Sequence, residues 1–302
     1  FDSVGGESNA ETAREHTAYW ARVRDADLDM AIETLTDMVT DSRLDEEDFS
    51  MERGVILDEL AMGEDSPTDT VHDTFQLAVH GDRPIGRPVG GTPQAIREVE
   101  RADVWEHYQA HYGPSSLIVA AAGNVDHDSV CERVQAALEG SPWDVGSAAS
   151  PRPRRSTTVN PIADHDKDIT RRRDVTQAHV IIGCEGLAAT DPAGPTMSVL
   201  LSVLGGSMSS RLFQEVREKR GLAYTTYAFD VAYSDTGTFG MYAGCSPDKV
   251  GEVEAIMRAQ LEDLAADGPT EEEMTRVRGQ VRGGVVLGLE DNWSRMMRLG
   301  RS

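Results

Sequence analysis

The chain has 302 residues and a formal net charge of −23, and 39% of its residues are hydrophobic. This composition is typical of a globular protein large enough for two ordinary domains, and it excludes a disordered chain. No apolar run reaches the about 18 residues that a membrane-spanning helix needs. The strong negative charge opposes binding to nucleic acid and to anionic membranes, so we expect neither as a partner.

Three cysteines, Cys131, Cys184 and Cys245, lie far apart in the sequence and form no CxxC pair. Such spacing predicts neither a disulfide framework nor a cysteine-based metal site, and it suits a reducing compartment. We therefore expect a cytoplasmic protein. The sequence begins at Phe1 without a targeting pattern, and we expect both of its ends to be cut.

The first half of the chain combines strand-like and helical patterns. The predicted elements are a strand-like stretch at 9–23, helices at 26–40 and 45–62, helical segments near 70–80 and 101–112, a strand at 116–123 and a helix at 126–139. The stretch 141–161 is rich in serine, proline and arginine, which is typical of an interdomain linker.

The second half repeats this mixture. The predicted elements are a strand at 178–186, helices at 191–204 and 208–220, strands within 222–245, and helices at 247–266 and 270–288. Strands mixed with paired helices predict an α+β protein with two similar domains, each a mostly antiparallel mixed sheet packed with helices. We place the first domain at 1–145, the linker at 146–165, and a C-terminally incomplete second domain at 166–302.

One helix in each half begins in a similar way. Residues 44–55 align with 269–280 at a constant offset of 225, and the alignment makes Asp45 and Thr270 helix N-caps. Domain duplication is the simplest explanation, and the independent origin of two similar helix starts is the alternative.

The two aligned helices differ at two carboxylates. Glu52 aligns with Val277, and Glu59 aligns with Gly284, so the second copy lacks both acids. A requirement of the shared fold would be expected in both copies. The first helix is therefore expected to use its acids for a local purpose.

A helical wheel places Glu52 and Glu59 about 20° apart in the middle of an apolar face. An unpaired buried carboxylate costs several kcal/mol or becomes neutral through a pKa shift. The usual remedies are an arginine or lysine partner, or a metal ion such as Zn²⁺ with histidines completing the ligand shell. Both remedies stay open at this point, because the chain contains neither H-x-x-E-H nor H-E-x-x-H.

The chain offers one other candidate metal face. Asp103, His107 and His111 are spaced four residues apart on one predicted helix. The helix ends at this point, so we interpret the two histidines as surface or helix-end residues.

Several motifs together resemble the pitrilysin/insulinase family of inverted-motif zinc peptidases, and the most similar branch is the mitochondrial-processing-peptidase-like group with its bacterial relatives. The resemblance spans nearly all of the chain. It rests on four stretches in the family's order: GGESNAETAREHTAY (5–19), ERGVILDE (52–59), YGPSSLIVAAAGNVDHDSV (112–130) and LGGSMSSRLFQEVREKRGLAYTTYA (204–228).

The resemblance implies a zinc site that this chain completes only in part. In the family an H-x-x-E-H helix supplies two histidine ligands and a general-base glutamate, and a later helix supplies a glutamate ligand. By resemblance Glu59 is that Zn²⁺ ligand, and Glu52 supports the site. The H-x-x-E-H motif would lie roughly twenty residues before Phe1, so the chain alone is expected to be inactive.

The resemblance also assigns residues to the substrate. The family uses an arginine and a tyrosine, here Arg217 and Tyr224, to hold substrate carbonyls and to stabilise the oxyanion. From the residues alone, Arg217 could equally form an ion pair on the helix surface and Tyr224 could belong to a strand core. Ser8, Asn9 and Ala10 resemble the family's edge strand, along which an extended peptide adds by backbone hydrogen bonds.

The activity implied by the resemblance is zinc-dependent endopeptidase or oligopeptidase cleavage of extended or unfolded peptides. Because the chain holds both the glutamate ligand and the Arg/Tyr pair, we expect a homodimer with reciprocal sites, with a hetero-oligomer as the alternative. A non-catalytic scaffold or partner subunit of a processing-peptidase-like complex is the alternative function, and a degraded peptidase without metal is a third.

Overall fold

A computed structural model describes residues 1–147 and 167–301 of the chain. These residues combine helices with small antiparallel sheets, which confirms the predicted α+β class. In chain order the elements are β1 (Glu7–Thr12), β2 (Thr17–Arg22), α1 (Leu28–Thr40), α2 (Glu46–Asp65), α3 (Pro67–His80), α4 (Pro93–Glu98), α5 (Arg101–His111), α6 (His127–Glu139), β3 (Ala178–Glu185), α7 (Gly194–Leu204), β4 (Ala223–Ala232), β5 (Gly237–Cys245), α8 (Val250–Asp267), α9 (Glu271–Gly288) and α10 (Asn292–Arg301).

The chain forms two compact units that are not contiguous in sequence. The described residues of unit 1 are 1–59, 89–147 and 286–301, and those of unit 2 are 60–88 and 167–285. These bounds differ from the predicted domains at 1–145 and 166–302. Residues 148–165 of the predicted linker at 146–165 lie outside the described residues. The duplication of one domain into two stays a prediction.

Unit 2 contains a substantial core around a three-stranded antiparallel sheet with the order β3–β5–β4. The central strand β5 is buried at every residue, because neighbours pair with it on both edges and helices pack on it. The helices and the turn before β4 bury apolar side chains against this sheet: Leu204, Leu212, Val216, Val253, Met257 and Val277.

Unit 1 buries far less of its surface. Its strands β1 and β2 form an antiparallel hairpin in which Glu7 lies opposite Arg22. Within the described part of this unit, only Ala31 and Thr40 are buried. Two strands alone are marginally stable in water, so the hairpin depends on the elements around it.

Two predicted elements differ from the structure. The stretch 116–123 pairs with no strand among the described residues, and Ile118 and Val119 are 62% and 52% exposed. The strand prediction there is wrong because apolar composition cannot supply the hydrogen-bonded neighbour that a strand requires. The helix predicted at 208–220 begins only at Arg211 and is a π-helix over Phe213–Glu218. In the ranges that the structure describes, no helix is both long and apolar enough to cross a membrane.

Candidate functional site

The N-terminal end of α2 is fixed by two arginines within unit 1. Arg53 donates to the carbonyl of Val99, and its guanidinium lies 4.9 Å from the ring centroid of Phe49. Arg101 donates to the carbonyls of two residues in the loop before the helix, Leu44 and Arg43. These contacts hold the start of α2 although the helix itself buries no residue.

The two carboxylates of α2 are not buried. Glu52 and Glu59 are both exposed, and Val55 beside them is 45% exposed. The prediction that they point into the core is therefore wrong for this chain, because nothing in its described part covers that face of α2. Neither carboxylate has a hydrogen-bond or ion-pair partner among the described residues, so the alternative of a Glu–Arg pair is not observed there.

The described residues do not by themselves form a zinc site. No three histidine, cysteine, aspartate or glutamate side chains come together as a metal-binding group in 1–147 and 167–301. The exposed carboxylate of Glu59 is a chemically suitable Zn²⁺ ligand, but a single carboxylate does not make a site. The roles assigned to Glu52 and Glu59 stay predictions.

The second candidate metal face is divided by the structure. The rings of His107 and His111 lie 4.4 Å apart at the exposed end of α5. Asp103 instead accepts a 2.9 Å hydrogen bond from the backbone N–H of Glu100 and caps its own helix. This supports the interpretation of both histidines as surface residues.

The structure brings Arg217 and Tyr224 together in unit 2. Gly221 has a φ of 61°, in the left-handed region that favours glycine, and its N–H donates a 2.8 Å hydrogen bond to the carbonyl of Arg217. This turn ends the helix, as the sequence predicts, and leads directly into β4. Arg217 Nη1 then donates 3.0 Å to the carbonyl of Tyr224, and its guanidinium carbon lies 4.5 Å from the Tyr224 ring centroid.

The surroundings of this pair bear on the two interpretations left open by the residues, and the substrate role of the pair stays a prediction. Tyr224 is 73% exposed, so it is not a core residue. The carboxylate recorded within 4.0 Å of Arg217 among the described residues is that of Glu218, and it lies 3.9 Å from Nε. Glu215 pairs instead with Arg220 and Lys219, whose hydrogen bonds lower the pKa of its carboxyl. The guanidinium of Arg217 is therefore held mainly by aromatic rings and a carbonyl.

The three predicted substrate-binding residues lie on an exposed strand edge. Ser8, Asn9 and Ala10 are all exposed on β1, and the two-stranded sheet of unit 1 leaves the other edge of β1 unpaired within the described residues. The side chain of Asn9 accepts a 2.8 Å hydrogen bond from the N–H of Ala10. Such an edge can add an extended chain, but the binding role stays a prediction.

Sequence reasoning missed a histidine–tyrosine cluster in unit 2. His72 Nε2 lies 2.8 Å from the hydroxyl of Tyr227, and His179 Nδ1 lies 2.8 Å from that of Tyr242. The two tyrosine rings stack 4.7 Å apart. Burial lowers the pKa of both histidines. These residues come from α3 and three separate strands, so no local sequence pattern could have joined them.

Phe213 is the other residue that the sequence analysis missed. Its ring centroid lies 4.7 Å from the guanidinium carbon of Arg217. The available signal was the four-residue spacing of an aromatic and a cationic side chain on one helix.

Comparisons with known proteins place the chain in a family that is named for its peptidases. Residues 1–93 match the family described as insulinase (peptidase family M16), and residues 98–281 match the peptidase M16 inactive domain. An uncharacterized zinc protease of Streptomyces coelicolor is 48% identical over 303 residues, covering 100% of this chain and 66% of that protein. An uncharacterized zinc protease of Bacillus subtilis is 33% identical over 302 residues, covering 100% of this chain and 71% of its own length.

Solved structures share the fold at low sequence identity. A protease from Helicobacter pylori superposes with a TM-score of 0.85 at 21% identity, covering 97% of this chain and 71% of that chain. Complex III2 from Candida albicans gives a TM-score of 0.81 at 18% identity, covering 98% of this chain and 71% of that chain. The chain spans about two thirds of the length of the curated relatives that it matches. The sequence matches over both halves show that this chain belongs to the M16 family of peptidases, the insulinase or pitrilysin family.

Proposed function

We propose that the full-length protein is a zinc-dependent endopeptidase or oligopeptidase that cleaves extended or unfolded peptides. The observation that carries the proposal is the Arg217–Tyr224 pair, in a chain whose relatives are named zinc proteases. Tyr224 is 73% exposed, and Arg217 contacts its nearest recorded carboxylate, that of Glu218, only at 3.9 Å from Nε. The pair is suited to bind an anionic or polarised oxygen.

The chemistry of the pair matches the needs of peptide hydrolysis. Negative charge develops on the carbonyl oxygen of the peptide, and donors that are already in place stabilise it without reorganising. Arg217 has five N–H donors, and within the described residues its contacts engage Nη1 and, at 3.9 Å, Nε. The remaining donors and the phenol of Tyr224 are available for a substrate oxygen.

Glu59 is the proposed metal ligand of this chain, with Glu52 supporting it from one helical face. The other ligands and the general base would come from outside the described residues, which do not supply them. When bound, Zn²⁺ polarises a carbonyl and lowers the pKa of its water. The exposure of Glu59 leaves its carboxylate accessible for such a shared site.

The unpaired edge of β1 is the proposed peptide-binding strand. Ser8, Asn9 and Ala10 would offer backbone groups to an extended substrate, which gives weak dependence on side chains and excludes folded proteins. We further propose a homodimer with reciprocal sites. Sedimentation of the full-length protein tests this, and a monomer or an obligate hetero-oligomer would contradict it.

Glu59→Gln in the full-length protein tests the metal assignment. We expect loss of bound zinc and a fall of at least about 100-fold in the rate of hydrolysis of an unstructured peptide. Loss of a group that only orients a metal ligand already lowers metal affinity or activity by about 10- to 100-fold, and loss of the ligand itself should cost at least as much. The matched control is Asp58→Asn, which removes a neighbouring exposed carboxylate from the same helix. Equal zinc and equal rates in both variants would contradict the assignment.

Arg217→Ala tests the oxyanion role. We expect kcat to fall about 100- to 1,000-fold with zinc retained, as for the loss of one oxyanion donor. Arg258→Ala is the control, since Arg258 is an exposed arginine paired with Glu254 on α8. Loss of zinc from Arg217→Ala would contradict the assignment.

A non-catalytic scaffold or partner subunit is the second candidate function. It is favoured by the match of residues 98–281 to the domain described as inactive. A full-length protein that holds no zinc and hydrolyses no unstructured peptide would support this candidate and overturn the peptidase proposal.

A further inference from the structure

We propose that Phe213 is a positioning residue that holds the guanidinium of Arg217 by its aromatic face. The catalytic part of this inference rests on the proposed peptidase function, whereas the positioning itself does not. Phe213 touches neither metal nor substrate in this proposal, and it acts only through Arg217.

Two rings enclose the guanidinium of Arg217. Its central carbon lies 4.7 Å from the ring centroid of Phe213 and 4.5 Å from that of Tyr224, both within the range of cation–π attraction. The rings differ in exposure, because Phe213 is half-buried and Tyr224 is 73% exposed. Phe213 is therefore the more buried side of the clamp, and Tyr224 is the side that faces solvent.

The backbone around Phe213 is anchored in the core of unit 2. Leu212 and Val216, on either side of it in the turn, are fully buried. The backbone bond from the N–H of Lys219 to the carbonyl of Gln214, at 2.9 Å, spans five residues and marks a π turn. Such turns are frequent at functional sites, and here the turn carries Phe213 and Arg217 together.

An aromatic clamp keeps the donors of Arg217 available. A carboxylate partner binds the N–H groups in the plane of the guanidinium, which are the groups that a substrate oxygen needs. Aromatic rings bind the faces of that plane instead. Of the nearby acids, Glu215 pairs with Lys219 and Arg220, and Glu218 approaches Arg217 only at Nε, at 3.9 Å.

The experiment compares three replacements of Phe213 in the full-length protein: Phe213→Leu, Phe213→Tyr, and ring-fluorinated 3,4,5-trifluorophenylalanine at the same position. Leucine removes the aromatic face, and tyrosine keeps it. Fluorination keeps the ring but reduces the negative charge on its face that attracts a cation. The first readout is the rate at which phenylglyoxal modifies Arg217, measured by peptide mass spectrometry and normalised to Arg258 in the same sample. The second readout is kcat and KM on an unstructured peptide.

We expect Phe213→Leu to speed the modification of Arg217 at least about threefold and to lower kcat about 3- to 30-fold, the equivalent of one cation–π contact. KM and zinc content should change less than about twofold. The lost contact positions Arg217, which is proposed to donate to the oxyanion in the transition state and not to bind zinc. Phe213→Tyr should match the parent in modification rate and in kcat. The fluorinated protein should lie between the parent and Phe213→Leu in both quantities.

Unchanged modification of Arg217 in Phe213→Leu would overturn the positioning role, whatever the rates show. If Phe213→Leu does not fold, an unchanged modification rate in the fluorinated protein overturns it equally. If Arg217→Ala retains full activity while the modification rate of Arg217 rises in Phe213→Leu, the positioning role holds and the proposed role of Arg217 in peptide hydrolysis fails.

Discussion

Helices α2 and α9 begin with the same charge pattern, since each has three acidic residues in its first turn, and the two align at an offset of 225 residues. Their environments differ. In α9, Val277 is only 3% exposed and belongs to the core of unit 2. In α2, the aligned residue Glu52 is exposed, and no residue of the helix is buried.

The first turns of the two helices also differ in how many contacts their acidic side chains make. Thr270 and Glu273 form a reciprocal capping box before α9, and Glu273 also accepts two hydrogen bonds from Arg211, at 2.7 and 2.9 Å. The aligned residue in α2 is Asp48, which is exposed. The comparison teaches that α9 packs into the core of unit 2, whereas the described residues leave the aligned side chains of α2 exposed.

Val277→Glu is the strongest test of this contrast. We expect it to lower the free energy of unfolding of unit 2 by more than about 4 kcal/mol, because it buries an unpaired carboxylate. Urea unfolding of the full-length protein, followed by circular dichroism, measures the change. Val277→Ala controls for the lost volume and should cost about 1–3 kcal/mol. Equal effects of the two variants would show that the charge has no cost and that this position reaches solvent.

Glu273→Gln removes the charge that anchors the start of α9. We expect a loss of about 1–3 kcal/mol at pH 7, because a bidentate pair with side chains only 15% and 13% exposed loses its charge-assisted hydrogen bonds. Glu272→Gln is the matched control, since that neighbouring carboxylate is 85% exposed. A similar loss in both variants would contradict the assigned role of the Arg211 pair.

The same pair predicts a pH dependence. The hydrogen bond from Arg211 lowers the pKa of Glu273 to about 2. A carboxyl whose pKa is lowered on folding stabilises the protein above its unfolded pKa of about 4.3, and this stabilisation is lost as the pH falls from there toward 2. The difference in urea midpoint between the parent and Glu273→Gln should therefore shrink over that range, and a constant difference would contradict the assignment.

His72 tests the interior of unit 2 at milder pH. Burial lowers the pKa of His72, and this effect outweighs the negative charges of Asp69 and Asp73, which raise the pKa. The ring of His72 also forms a hydrogen bond with the hydroxyl of Tyr227. The unfolded chain therefore takes up this proton first as the pH falls below about 6.5, so the fold loses stability. His72→Gln should show a smaller loss of urea midpoint between pH 8 and pH 5. The exposed His127→Gln on α6 should behave as the parent, and identical slopes in all three proteins would contradict the prediction.

The smallest effect is expected from Glu52→Val, which places in α2 the residue that α9 uses in its core. We expect the free energy of unfolding to change by less than about 0.5 kcal/mol, because the side chain is exposed. Urea unfolding of Glu52→Val and Val277→Glu in parallel measures the effect of exchanging the aligned residues of α2 and α9. A stabilisation above about 1 kcal/mol would show that the face of α2 is covered in the full-length protein, as the apolar pattern first indicated.

Local sequence patterns predicted the elements that depend on neighbours in the chain. The capping residue Thr270, the helix-ending Gly221 and most helices and strands follow from them, because caps, turns and amphipathic periods involve residues a few positions apart. The family also followed from the sequence, because its motifs are continuous stretches such as 52–59 and 204–228.

Tertiary structure alone decided which of these surfaces are covered. The apolar pattern around Glu52 and Glu59 predicts a buried face, and the pattern at 116–123 predicts a strand, but each needs a partner from a distant part of the chain. The clamp of Phe213, Arg217 and Tyr224 depends likewise on a π turn and on the return of the chain through β4. Sequence periodicity determines which side of an element is apolar, and only packing determines what lies against it.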